Sequence, residues 1–313
     1  MPDRPFKIIL SRKGFDSASG GCASPIFPSG RFYSLPIAYA PGAQKRYCDI
    51  GSGVGIDGTQ MGEIVEQLTS GKVRRDAWAH FDPDLDREAV PRMDGWRGSF
   101  GQVETAQVHL ANQGVDVGDV FLFHGWFSAV QRDVTGRWRF MPGAPDVNMI
   151  FGWLQVGEVI DLERTQPSEV IKRYPWLRDH PHLYFPADVR LRPSAHAIYV
   201  GTERLDLPGI GARMLHGAGV FRTYDSRHVL TASGAGGRSV WRLPRWFKGD
   251  ENRTYLTQFP RPEWWADCGE NEVLLRPRGR QGQEAVLDCR DRPEAGPWLV
   301  SLVGCGPSSQ RPL

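Results

Sequence analysis

The sequence predicts an α+β protein, a single compact domain over residues 1–313, rich in antiparallel strands around a mixed or barrel-like central sheet with a few flanking helices. Three observations lead to that class. Short apolar runs rich in β-branched and aromatic residues recur along the chain, each bounded by glycine, proline, asparagine or aspartate. Helical spacing of apolar residues appears in few segments. No repeat period and no linker divides the chain.

The elements follow in order. Phe6-Lys7-Ile8-Ile9-Leu10 reads as a strand that runs into a polar loop, and Arg31 to Ile37 as a second strand. Met61, Ile64, Val65 and Leu68 stand at helical spacing, with Asp57 or Thr59 as cap and Gly71 as stop. Ala77 to Phe81 is a strand ending in Asp82-Pro83-Asp84, and Val103 to Gln113 a helix ended by Gly114. Val120 to Phe127 is the most apolar run, followed by a hairpin through Thr135-Gly136 and a strand from Asn148 to Ile160. Pro167 to Tyr174 is a short helix opened by proline. Further strands are expected at 197–200, 220–223, 228–232, 240–243, 273–275 and 285–287.

Composition removes several function classes. Lys and Arg number 38 against 36 Asp and Glu, a net charge of +2, so bulk electrostatics does not mark a nucleic-acid binder. Hydrophobic content is 40% with no run near the roughly 20 apolar residues of a membrane span. The start MPDRPFKIIL lacks the apolar core and cleavage site of a signal peptide, and the expected location is the cytoplasm without membrane partners. Five scattered cysteines, Cys22, Cys48, Cys268, Cys289 and Cys305, form no CxxC pair and read as free thiols.

Several groups of residues carry chemistry. Ser11, Arg12 and Lys13 place a hydroxyl and two cations within three residues beside glycines that let backbone amides approach a ligand, which suits phosphate or carboxylate. Asp16 in that loop is either a reacting carboxylate or the cap of a local turn. In His80-Phe81-Asp82-Pro83-Asp84, alternation on an extended segment puts His80, Asp82 and Asp84 on one face, about 6 to 7 Å apart per step. An imidazole and carboxylates so placed serve proton transfer or a divalent metal, iron first, if another ligand arrives from elsewhere. The competing reading makes the two aspartates turn caps around Pro83.

On a continuous helix, Gln102 and His109 share a face. His124, inside an apolar strand, reads as a hydrogen-bonded core histidine, and His180-Pro181-His182 as an ordinary surface turn in preference to a metal pair. Trp241 and Arg242, in a segment that interleaves aromatics and cations, suit either stacking on a nucleotide or plain core packing.

The blocks SRKGFDSASGGCASPIFPSGRFYSLPI (11–37), HFDPD (80–84), FGQVETAQVHL (100–110), VGDVFLFHGWF (117–127), IFGWLQVGEVI (150–160) and WRLPRWF (241–247) stand in one order along the chain. Together they resemble the nucleotide modification-associated domain 3 family. The resemblance implies handling of nucleotides or modified bases, and its matched polar positions are Ser11, Arg12, Lys13, Asp16, Ser24, His80, Asp82, Asp84, Gln102 and His109. VGDVFLFHGW followed by IFGWLQVGEVI is also similar, more weakly, to the PUA-like barrel of EVE and ASCH domains, which places a barrel portion within 115–250.

These readings combine into one leading expectation: a nucleobase- or nucleotide-modifying enzyme. Ser11, Arg12, Lys13, Ser24, Gln102, Trp241 and Arg242 would bind substrate, Asp16, His80, Asp82 and His109 would do the chemistry, and His80, Asp82 and Asp84 would hold a metal. Two alternatives remain: an iron-dependent oxidoreductase acting on a peptide natural product, and a non-catalytic reader of modified bases in nucleic acid.

Overall fold

The computed structural model describes residues 5–51, 58–185, 195–279 and 281–304. Nine strands make one mixed sheet: β1 (Lys7–Arg12), β2 (Ser24–Ile26), β3 (Ser99–Val103), β4 (Val120–Arg132), β5 (Trp138–Phe140), β6 (Val147–Asp161), β7 (His196–Gly201), β8 (Ala218–Val220) and β9 (Glu284–Asp288). Along its main path the order is β9-β1-β4-β6-β7-β3, with β2 and β5 beside β4 and β8 beside β6. β1 and β2 run parallel to β4, while the other neighbours pair antiparallel. Among the described residues four α-helices accompany the sheet: α1 (Met61–Leu68), α2 (Glu104–Asn112), α3 (Pro167–Arg173) and α4 (Ala295–Val303).

The residue pattern explains this arrangement. In β4, Val120 to Gly125 are all buried, the mark of a strand covered on both faces, and β6 is buried from Met149 to Val156. Phe100, Phe121, Phe123 and Tyr199 gather on one face of the curled sheet, with ring centroids 5.0–5.9 Å apart. α1 buries Met61, Ile64, Val65 and Leu68, the residues whose spacing predicts it, against a second core that includes Phe15, Tyr47 and Trp138.

The sheet does not close into a barrel. Its path ends at β9 on one side and β3 on the other, and these strands meet through side chains: Gln102 donates to Glu284 at 2.5 Å. α2 packs against both strands across that gap. Of the two expectations for the central sheet, the mixed one holds: the sheet is open and forms no closed barrel.

Several sequence expectations change in detail. Arg31 to Ile37 is not a strand; it contributes isolated bridges at Arg31 and Phe32, and only Ile37–Ala38 pairs, with Trp78–His80. Residues 228–232 begin as the end of a 3-10 turn and continue as isolated bridges. β3 and α4 carry no sequence expectation: β3 ends directly at α2, and α4 is apolar on nearly every side, so neither period stands out. Of the two proposed caps of α1, Asp57 lies outside the described residues and Thr59 does not cap: the N-cap position is Gln60, which makes no side-chain capping bond. Among those residues no helix is long and apolar enough to cross a membrane.

Candidate metal centre

Three separate segments deliver imidazoles and one carboxylate to a single buried region. His80 ends the strand Trp78–His80, and Asp82 follows after one residue, its peptide bond to Pro83 being cis. His180 caps the 3-10 turn Pro181–Tyr184, its Nδ1 accepting from the backbone N–H of His182 at 3.3 Å, and Pro181 fits the first position, where no N–H is needed. His196 opens β7.

Asp82 is the hub. Its Oδ1 accepts from the backbone N–H of Gly101 at 2.8 Å and lies 3.4 Å from Nε2 of His180, while its Oδ2 lies 3.5 Å from Nε2 of His182 and 4.0 Å from Nε2 of His80. Good N–H···O hydrogen bonds span about 2.7–3.2 Å. The imidazole contacts are longer than that, and Nε2 of His180 is a buried nitrogen without a hydrogen-bond partner among the described residues.

The outer bonds fix the rings. Nδ1 of His80 faces the carbonyl oxygen of Pro41 at 3.2 Å; a carbonyl only accepts, so Nδ1 carries the proton. In the neutral ring Nε2 is then a lone pair, directed to the side of the Asp82 carboxylate. Burial, then the neighbouring His182, lowers the His80 pKa to about 4, so this neutral form prevails near neutrality. Burial alone would raise the Asp82 pKa, but the His180 and His182 imidazoles outweigh it and hold the carboxyl well below the usual range. On its other side His182 exchanges a hydrogen bond with His196, Nδ1 to Nε2 at 3.1 Å, and the Phe185 ring stacks on it.

Lone pair and carboxylate facing each other call for a cation. One ligand atom each from His80, Asp82 and His182 all lie within 4.8 Å of one another. Two donors about 2.1 Å from a shared ion stand about 3 to 3.5 Å apart, so the Asp82–His182 separation already matches and His80 needs a small approach. Two imidazoles and one carboxylate, with further positions open, are the donor set of non-haem iron(II) sites, and they also suit zinc or manganese.

The local sequence makes room for this convergence. A Cβ on Gly101 would stand 2.3 Å from the His182 ring, and one on Gly42, where φ is +77°, only 2.1 Å from the carbonyl oxygen of Pro181. Both glycines let backbone come close to the histidine turn.

The remaining candidate residues take other places. Asp84 leaves the cluster: Arg92 grips both its oxygens at 2.6 Å and Trp96 donates to it at 3.3 Å. The cluster that could hold a metal ion groups His80 and Asp82 with His182 in place of Asp84, so the expected grouping of His80, Asp82 and Asp84 does not form. Asp16 accepts from the backbone N–H groups of Ala18 and Ser19 at 2.8 and 2.7 Å, which makes it a turn cap. Ser24 accepts from the backbone of Leu35.

Gln102 sits on β3, not on α2, so the helix face expected to join it to His109 is absent; Gln102 reaches Glu284 while His109 meets the Thr257 hydroxyl at 3.0 Å. Ser11 and Lys13 also turn to Glu284, at 3.1 and 2.6 Å, and Arg12 is exposed. Trp241 is buried against His124 and Phe259, whereas Arg242 is exposed beside Glu272. His124 is buried as expected, but its Nδ1 has no partner among the described residues. Cys22, Cys48, Cys268 and Cys289 are free thiols, and Cys305 lies outside the described residues.

A family model decides the relationship of the chain. The model described as nucleotide modification associated domain 3 matches residues 7–288. The chain belongs to this family. The match runs from the first residue of β1 to the last of β9, so it takes in His80, Asp82, His180, His182 and His196 together with both ends of the sheet path. No curated protein and no solved structure matches it.

Sequence reasoning missed His180 and His182 as partners of Asp82, and His196 behind the His182 ring. The signal available was HPH itself, two imidazoles two residues apart, which the intervening proline made look like a surface turn.

Proposed function

We propose that this protein is a metal-dependent enzyme of nucleotide or nucleobase modification, with His80, Asp82 and His182 as the ligands of a divalent metal. The single observation that carries this reading is the His80 lone pair directed at the Asp82 carboxylate in a buried site, beside a second imidazole at 3.5 Å. Membership of the nucleotide modification associated domain 3 family favours a nucleotide over a peptide as substrate.

A divalent ion there, iron(II) first by donor set, would supply Lewis-acid or redox chemistry. The chain itself orients the donors. The Gly101 amide fixes Asp82, the Pro41 carbonyl fixes the tautomer of His80, and His196 holds the His182 ring, as outer partners do in metal sites. His180, on the other oxygen of Asp82, is placed to help orient that carboxylate or to exchange a proton with a bound group.

The test is turnover. Protein loaded anaerobically with iron(II), and in parallel with manganese or zinc, is incubated with nucleotides and oligonucleotides and the products are weighed by mass spectrometry. The reading expects a metal-dependent mass change that Asp82→Asn and His182→Ala abolish. A mass change that persists in both variants, or after complete metal removal, would refute it.

A further inference from the structure

We infer that Glu284 and Lys13 form a subsite that reads an N–H-bearing edge of the substrate's base. The inference rests on the proposed nucleotide substrate and adds the groups that would recognise it.

The observation is an imbalance in one buried carboxylate. Glu284 stands at the start of β9, 1% exposed, where β9 and β3 face each other across the gap in the sheet. Its Oε1 collects three donors, Ser11 Oγ at 3.1 Å, Lys13 Nζ at 2.6 Å and Gln102 Nε2 at 2.5 Å. Its Oε2 is equally buried and has no partner among the described residues. A buried acceptor left unmet costs about 1–3 kcal/mol, and more for a charged group. Three side chains from two strands and the loop after β1 thus fix one oxygen while leaving the other free.

The neighbours are those of a recognition site. The Lys13 ammonium lies over the Phe100 ring, 4.8 Å from its centroid; it donates to Glu284 and, at 3.5 Å, to Gln283 Oε1, which leaves one of its three N–H groups for a ligand. Gln102 is the residue after Gly101, whose amide holds Asp82. A free carboxylate oxygen beside an ammonium complements a ligand edge with an N–H next to an acceptor. Nucleobases present such an edge when out of the helix, and enzymes that act on flipped or free bases read it with hydrogen bonds. A phosphate, by contrast, would meet the Glu284 charge.

The test uses the full chain and calorimetry with two probes, the nucleoside 5′-monophosphates and single-stranded homo-oligonucleotides of each base. The tightest ligand is compared with its derivative N-methylated on the Watson–Crick edge so that no N–H remains there. At least a tenfold loss is expected; equal binding, or no binding of any base, overturns the inference without needing a variant. Glu284→Gln should weaken the same ligand at least tenfold while its metal content, measured by plasma mass spectrometry, stays at the wild-type value. Unchanged nucleotide affinity in a folded Glu284→Gln protein also overturns it. Should wild-type protein bind the base selectively yet take up no metal, the metal reading fails and this one stands.

Discussion

His182 Nε2 stands 3.5 Å from Oδ2 of Asp82, although the two residues come from loops far apart in the chain. The contact depends on Gly101, because a Cβ there would stand 2.3 Å from the His182 ring. Gly101→Ala is expected to push the ring off Asp82 and lower metal affinity at least tenfold, with the fold retained. Metal titration alongside circular dichroism checks this; wild-type affinity in the alanine variant would count against the assigned geometry.

Asp84 and Asp82 separate two roles that sequence alone merges. Asp84→Asn removes the charge that Arg92 grips in a part-buried pair, and is expected to cost about 2 kcal/mol of stability. Metal content should remain at the wild-type value. Denaturant unfolding and elemental analysis measure both, and loss of metal in this variant would return Asp84 to the ligand set.

Asp16 is expected to act through its oxygen as an acceptor. Asp16→Asn keeps the oxygen that caps Ala18 and Ser19 and should leave stability and turnover near wild type, whereas Asp16→Ala should cost about 1 kcal/mol. A collapse of turnover in a well-folded Asp16→Asn protein would show that the carboxylate itself takes part.

His124 predicts a pH dependence of stability. Burial first, then the Arg12 and Lys13 charges, lowers its pKa from 6.5 to about 3. The unfolded chain therefore binds a proton that the folded chain refuses. Its contribution is complete above pH 6.5 and is lost as pH falls towards 3, with a slope of about 1.4 kcal/mol per pH unit in that window. His124→Gln should flatten the acid side of the stability profile by about that slope, measured by urea unfolding between pH 4 and pH 7. An unchanged profile would contradict the burial assigned to His124.

What the sequence makes legible follows from range. α1, β4 and β6 declare themselves because burial imposes local periods on them, and His80 with Asp82 because two chemically telling residues sit two apart on one segment. The rest of the site is a matter of closure. His180 and His182 acquire meaning only when their turn folds over Gly101, and Glu284 only when the sheet curls to bring β9 to β3. Asp84 misleads in the opposite way: alternation points it towards His80, but Arg92, eight residues on, supplies a stronger local partner.

The central claim is tested most directly by metal stoichiometry. Protein purified anaerobically and reconstituted with iron(II) should hold close to one equivalent by plasma mass spectrometry, and His80→Ala, Asp82→Asn and His182→Ala should each hold far less while remaining folded. Wild-type protein without iron, manganese or zinc after reconstitution, or full occupancy in all three variants, would contradict it.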